Sequence, residues 1–406
     1  MKVLYFHQHF TTPTGAGGTR SYEMSKRLIA QGHRVTMVCG SYSGGNTGIE
    51  TPFLKGVRLG EVEGINVVEF DLRYSNADGF WRRSLVFLRF SLSGIRLVFT
   101  EKYDVLFATS TPLTAAIPGI VAKWFRRKPF VFEVRDLWPS LPREMGVIRN
   151  PLVLLLLSIL EWLAYHSANR LIGLAPGIVD GIVARGIDRK NVSLVPNGCD
   201  LALFGAPKPA GLNSEDLFVI YSGTHGVANG LDAVLDGAIE LKHRAREDIK
   251  IVLIGSGKLK PRLEERARLE EIANIQFLDP VGKEELAKLL TAADVGLQIL
   301  GNVPGFYFGT SPNKFFDYIA AGKAVLINYP GWVADMVSEN DIGWAVPPGD
   351  SAAFADALIK AADDRIELRK MGERARLFAE ENFDRDKLAP AFVKTLELAV
   401  AARSAN

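Results

Sequence analysis

The chain has 406 residues, 48% of them hydrophobic and 23% charged. That length suits two domains, and the composition excludes intrinsic disorder and collagen-like or low-complexity structure. Two cysteines, Cys39 and Cys199, exclude a disulfide framework and a cysteine-rich zinc site, so a reducing cytosol is the expected setting. The net charge of +2 hides an asymmetry, because residues 1–200 carry 24 basic and 16 acidic side chains and the rest carry 24 and 30. A basic half joined to an acidic half points to an anionic ligand or surface. No nucleic-acid motif accompanies the cations, so nucleic acid is not an expected partner.

Val3–Phe6 reads as a first strand, followed by a glycine-rich turn and a helix over about Arg20–Gln31 that Gly32 ends. Arg34–Cys39, Val67–Phe70, Val105–Ala108, Phe130–Val134, Leu171–Leu174 and Val192–Val195 are further strands, apolar without alternation. Such runs suit parallel strands covered on both faces. The stretch Pro151–Tyr165 is strongly apolar but contains Glu161, and it falls short of the ~18–20 residues of a membrane span. No cleavable leader is apparent at the N-terminus.

After the linker-like Ala206-Pro-Lys-Pro-Ala-Gly the rhythm restarts. Phe218–Ser222 is a strand, Leu231–Lys242 a helix and Ile251–Ile254 a strand, and Ile275–Leu278, Val295–Ile299 and Val325–Asn328 continue the sheet. The expectation is an α/β chain of two Rossmann-like doubly wound domains facing a central cleft. Residues 1–203 form the first, residues 204–385 the second, and a final helix at about 386–406 packs back on the first.

Four motifs sit where such sheets bind ligands. Thr14-Gly-Ala-Gly-Gly-Thr-Arg20 opens the first helix, and Gly15, Gly17 and Gly18 let backbone approach a phosphate beside Arg20. It matches neither a P-loop nor a full dinucleotide fingerprint. Phe132-Glu-Val-Arg-Asp-Leu-Trp-Pro139 places Arg135 and Asp136 at a strand end, where a ligand or an ion pair with Glu133 would satisfy them. Tyr221-Ser-Gly-Thr-His-Gly226 offers Thr224, His225 and Gly226, and Gly255-Ser-Gly257-Lys258 offers a cation. In Gly309-Thr-Ser-Pro-Asn-Lys-Phe-Phe-Asp-Tyr318, Ser311 reads as the cap of a helix starting at Pro312. Asn313, Lys314 and Asp317 then share one helix face, which suits a nucleoside diphosphate. His7-Gln-His9 and Asp384-Arg-Asp386 have metal-like spacing without a supporting cluster, so no metal is expected.

The glycine loop, Arg135-Asp-Leu-Trp-Pro139, Leu194-Val-Pro-Asn-Gly198, the Ser311–Tyr318 segment and Ala320-Ala-Gly-Lys-Ala-Val325 occur in that order. Together they resemble the glycosyltransferase family 4 enzymes of the GT-B fold, in particular amino-sugar transferases of bacterial O-antigen and exopolysaccharide synthesis of the WbuB type. The resemblance implies a retaining transferase working without a metal cofactor. It would move an N-acetylamino-deoxyhexose from UDP or a related nucleotide to a polyprenyl-diphosphate-linked or saccharide acceptor. Asp317 matches the second of the family's two acidic residues and implies a ribose contact, whereas the first falls on Gly309. The family's catalytic-site histidine falls on Arg135, beside Asp136. Its diphosphate-gripping Arg/Lys pair falls on Val227 and Asn229, which leaves Lys258, Lys314 and backbone amides for the leaving group. A sugar-nucleotide epimerase or hydrolase, a nicotinamide dehydrogenase and a non-catalytic binding protein are the rival readings.

Two further expectations follow. Asp317→Ala would weaken nucleotide binding by roughly 1.5–3 kcal/mol, the value of a hydrogen bond to a charged group. The helix Trp81–Phe99 would turn Trp81, Leu85, Leu88, Leu92, Ile95 and Phe99 to the core, with Phe87 and Phe90 off that stripe. Arg82, Arg83, Arg89 and Arg96, with Lys123-Trp-Phe-Arg-Arg-Lys128, would hold the protein on an anionic membrane surface, peripheral on the inner face of the cell membrane.

Overall fold

A computed structural model describes residues 1–75, 78–204 and 215–404. Two compact units result: Met1–Pro196 with Phe308–Ser311 and Asp386–Asn406, and Asn197–Tyr307 with Pro312–Arg385. The stretch Asn197–Phe204 is tied to the second unit, because Cys199 N donates to Phe383 O at 2.6 Å and Arg385 reaches Asp200 at 3.4 Å. The division therefore falls earlier in the chain than residue 203. The linker expected at Ala206–Gly211 lies outside the described residues.

The first unit runs β1 (Lys2–Phe6), α1 (Arg20–Ala30), β2 (Arg34–Tyr42), β3 (Val57–Val62), β4 (Ile65–Tyr74), α2 (Phe80–Thr100) and β5 (Val105–Thr109). It continues with α3 (Ile117–Arg126), β6 (Phe130–Val134), α4 (Ser140–Glu144), α5 (Pro151–Ser167), β7 (Arg170–Gly173), α6 (Pro176–Ala184) and β8 (Val192–Leu194). Its sheet has the order β3-β4-β2-β1-β5-β6-β7-β8 and is parallel except for the β3–β4 hairpin. Sequence reading misses β3, an edge strand with a half-exposed alternating pattern. Glu63 and Gly64, at φ 47° and 83°, make its turn, a geometry that matches hairpin twist. The buried strands β1, β5 and β6 are apolar except for Lys2, Thr109 and Glu133, and these runs revealed them.

The second unit begins with β9 (Leu217–Ser222), α7 (Asp232–His243), β10 (Ile249–Ile254), α8 (Lys260–Leu269), β11 (Ile275–Leu278), α9 (Lys283–Ala292) and β12 (Val295–Gln298). α10 (Pro304–Gly309), α11 (Asn313–Ala320), β13 (Ala324–Ile327), α12 (Trp332–Glu339), β14 (Gly343–Ala345), α13 (Ser351–Asp363) and α14 (Arg365–Asn382) complete it. Its sheet is wholly parallel, in the order β11-β10-β9-β12-β13-β14. The strand order reverses beside β9, the switch point where doubly wound sheets place ligands. The last helix, α15 (Arg385–Ser404), lies almost wholly in the first unit, where Phe392 meets the Phe107 ring and Thr395 donates to Ser193 at 2.8 Å.

The face assignment for α2 is corrected. Val86, Phe87, Phe90 and Val98 are buried, whereas Trp81 is 77% and Leu92 54% exposed. Both stripes are apolar, so periodicity alone cannot choose between them. Gly94 decides, since a Cβ there would lie 2.5 Å from the Phe6 ring and only a glycine face fits against β1.

Candidate functional site

In the second unit the ends of β9 and β10 are stitched into one platform. Gly223 N donates to Ile254 O and His225 N to Ser256 O, both at 2.9 Å, and Leu259 N donates to His225 O at 3.0 Å. Glycine is required for this closeness, because a Cβ at Gly257 would sit 2.5 Å from His225 O. Thr224 is exposed, Gly226 half-buried, and Lys258 exposed with no hydrogen-bond partner among the described residues. The expectation for the His225 ring is corrected. It is fully buried beside Tyr221 and Phe277, and both ring nitrogens lack hydrogen-bond partners among the described residues. Burial, aided by Lys260 and Lys314, lowers its pKa to about 4, so the ring is neutral and the loop backbone is what it offers a ligand.

Lys314, in the first turn of α11, reaches this platform. Its Nζ donates to Tyr221 Oη at 3.0 Å, stands 4.2 Å from the centre of that ring and borders Gly223. No carboxylate pairs with it among the described residues, and burial lowers its pKa to about 7. Next to it, Asn313 Oδ1 is buried without a partner among the described residues. A lysine amine beside close-packed glycine backbone at strand ends has the chemistry to meet an anion. The cap differs from expectation by one residue: Pro312, extended at ψ 122°, occupies the N-cap position, and Ser311 belongs to the first unit's set.

Asp317 does not join Lys314. It is buried and ion-paired with Lys283, the first residue of α9, whose ammonium also lies 4.9 Å from the Phe204 ring centre. One helix face therefore serves two partners, and the carboxylate expected to be free for a ribose is already engaged. Asp317→Ala should destabilise the second unit by about 3–5 kcal/mol, because it strands a buried ammonium. Urea unfolding checks this: the double variant Lys283→Met/Asp317→Ala should be more stable than Asp317→Ala, and an unchanged midpoint for the single variant contradicts the pairing.

In the first unit Arg20 is likewise corrected as a ligand contact. Its guanidinium is fully buried, donating to Glu133 at 2.8 and 3.0 Å and to the carbonyls of Val195 and Pro196. Gly15 is explained locally as well, since a Cβ there would collide with Thr11 and the Asn46 amide. Gly17 and Gly18 remain at least partly open. Arg135 donates through Nε to Thr109 at 2.9 Å and to Glu133 at 3.3 Å, leaving Nη2 buried without a partner among the described residues. Asp136 accepts from Thr111 Oγ1 at 3.0 Å. Burial raises its pKa above the usual carboxylate range, outweighing Thr111 and Arg135. Burial would raise Glu133 too, but Arg20 and Arg135 outweigh it and hold the group low. His7 bonds Ser21 at 2.7 Å, and burial and Arg135 hold His9 down to about 3. No group of three His, Cys, Asp or Glu side chains suited to a metal ion occurs among the described residues.

Lys283, Tyr221 and the Arg20–Glu133 pair escape sequence reading. Their partners lie far along the chain and follow no periodic spacing.

Two family sequence models match without overlap: a glycosyl transferase 4-like domain over residues 15–198 and glycosyl transferases group 1 over residues 206–378. The colanic acid biosynthesis glycosyl transferase WcaI of Escherichia coli is 24% identical over 57% of this chain and 58% of its own length. A phosphatidyl-myo-inositol mannosyltransferase of Mycobacterium leprae is 26% identical over 50% of this chain and 52% of its own. The chain thus spans little more than half the length of either relative. Among solved structures, sucrose-phosphate synthase of Thermosynechococcus elongatus shares the fold at a TM-score of 0.76 and 18% identity, covering 99% of both chains. HepE of Anabaena, solved with UDP-glucose, does so at 0.70 and 16%, covering 98% of this chain and 99% of its own. The fused glycine platform, the two parallel sheets and both sequence models agree: this chain belongs to the group 1, family 4-like glycosyltransferases of the GT-B fold.

Proposed function

We propose that this glycosyltransferase is a retaining enzyme that moves an N-acetylamino-deoxyhexose from a UDP-sugar to a polyprenyl-diphosphate-linked or saccharide acceptor in surface polysaccharide synthesis. The donor binds the second unit and the acceptor the first. The observation that carries the donor assignment is Lys314, a half-buried amine held against Tyr221 and Gly223 with no carboxylate partner among the described residues. UDP-glucose in HepE and the colanic acid biosynthesis named for WcaI and for WcaL of Escherichia coli support donor and pathway.

Catalysis in this reading is mainly electrostatic. Lys314, Lys258 and the amides around Thr224 and Gly226 stabilise the departing diphosphate, and Asn313 holds the nucleotide. Positioning of the acceptor supplies the rest. Arg135, with its unpartnered Nη2, and Asp136 face that acceptor. No metal takes part, and turnover should survive chelator; loss restored by manganese would contradict this. Peripheral attachment of the first unit to the anionic cytoplasmic leaflet brings the enzyme to a lipid-linked acceptor. The test is product formation from a panel of nucleotide sugars, with and without a polyprenyl-diphosphate saccharide. Transfer needs the acceptor, whereas donor converted or consumed equally without it indicates an epimerase or hydrolase. Asp136→Asn should lower kcat without raising the donor KM; the reverse pattern moves Asp136 to the donor site.

A further inference from the structure

Three helices of the first unit leave large apolar side chains facing outward. On α2 these include Trp81, Leu85, Leu88 and Leu92, and on α3 Trp124 and Phe125, which are 65% and 75% exposed. On α5 the series Leu152, Leu155, Leu156, Ile159, Trp162 and Leu163 is exposed at helical spacing. α3 packs between α2 and α5. At one end the three are tied together: Arg126 donates to Val98 O and Phe99 O, and Trp124 Nε1 donates to Ser167 Oγ at 2.9 Å. These side chains therefore belong to neighbouring helices of one surface. Scattered exposed leucines are ordinary, but so many large exposed apolar side chains on three neighbouring helices are not.

Charge identifies the occupant. α2 and α3 contain no Asp or Glu at all, and the single carboxylate of α5, Glu161, is buried and paired with Arg185 at 3.2 Å. Around the apolar side chains stand Arg82, Arg89, Arg96 and Arg127, all exposed. Between β4 and α2 a cavity of about 460 Å³ is lined by Arg73, Arg82 and Arg89 and bordered by Leu85. Asp71 and Asp78 offset Arg73 and Arg82, which leaves Arg89 unpaired among the described residues. A second copy of the chain fits poorly, since a two-fold contact would set Arg89, Arg96 and Arg127 against themselves, and α2, α3 and α5 offer no exposed carboxylate to answer them.

We infer that α2, α3 and α5 form one insertion face that seats in the headgroup–acyl boundary of an anionic bilayer, with leucine and tryptophan side chains among the acyl chains and the arginines on lipid phosphates. The inference rests on the membrane placement proposed above and gives it a surface and a chemistry. It also departs from purely electrostatic adsorption, because α5 contributes no exposed cation between Leu152 and Leu163.

Flotation with vesicles of equimolar phosphatidylglycerol and phosphatidylcholine, against phosphatidylcholine alone, tests it at low and high salt. The full chain should bind the anionic vesicles, with binding weakened but not abolished by salt. Leu155→Ser/Ile159→Ser and Leu88→Ser/Leu92→Ser should each cost about tenfold or more in vesicle affinity. Arg89→Gln/Arg96→Gln should lose affinity at low salt only. Brominated lipid should quench tryptophan emission of the wild type. All replaced side chains are at least partly exposed, so circular dichroism melting should be unchanged, as should transfer to a water-soluble acceptor. Full vesicle binding by both apolar pairs, or binding without quenching, overturns the insertion face. A dimer in light scattering that the α5 pair dissolves, without vesicle binding, gives the face to a second copy. No binding of the wild type to either vesicle refutes the membrane placement itself, leaving the transferase reading to its own assay.

Discussion

Lys314→Met is expected to weaken binding of UDP, or of whichever nucleoside diphosphate the enzyme takes, by about 1.5–3 kcal/mol and to remove its pH dependence. The lysine lies in contact with Tyr221 and Gly223, and burial takes its pKa from 10.5 to about 7. A bound diphosphate favours the charged form, so above pH 7 binding takes up a proton. Affinity should then fall as pH rises from 7, by up to about tenfold per unit, and the slope due to Lys314 should vanish below 7. Its neighbours do not titrate in that window, because His225 is held to about 4 and burial pushes Tyr221 well above its ordinary value. The same shift makes stability of the free protein rise with pH between 7 and 10.5, where the unfolded chain binds the proton that the folded chain has released. Calorimetry at pH 8 in two buffers of different ionisation enthalpy reads the proton directly. Equal apparent enthalpies in the wild type, or proton uptake that persists in Lys314→Met, would contradict the assignment.

Arg20→Met should cost about 3–5 kcal/mol of stability in the first unit, because it leaves Glu133 and two backbone carbonyls without the guanidinium that satisfies them. Arg20→Lys should recover little, since one ammonium cannot span the same acceptors. Glu133 gives the loss a pH signature. Its folded pKa lies below 4.5, so its contribution is complete above that value and disappears as pH falls through the folded pKa. Hydrogen exchange at β1 and β6 isolates this unit from the other. A variant that is fully stable but deficient in nucleotide binding would return Arg20 to the ligand.

The parallel strands were legible because burial on both faces demands apolar runs such as Val105–Ala108. Edge strands β3 and β14 were not, being short or half-exposed. The glycine loops could be picked out from their place after strands, and Lys314 from its place in the first turn of a helix. What Arg20 and Asp317 do could not, since a charge beside a glycine loop looks the same whether its partner is a ligand or a residue such as Glu133, 113 positions away. The outward face of α2 was illegible for a related reason. Two apolar stripes compete, and only the closeness of Gly94 to Phe6 selects one.

The central claim is that the second unit binds a nucleoside diphosphate through Lys314. It is tested most directly by thermal stabilisation of wild type and Lys314→Met by UDP and other nucleoside diphosphates, with uridine and NAD as controls, since a ligand of the native state raises its stability by mass action. A nucleoside diphosphate should stabilise the wild type, its nucleoside should not, and Lys314→Met should lose most of the effect. Stabilisation by NAD alone, or equal stabilisation of both proteins by the diphosphate, would contradict the account.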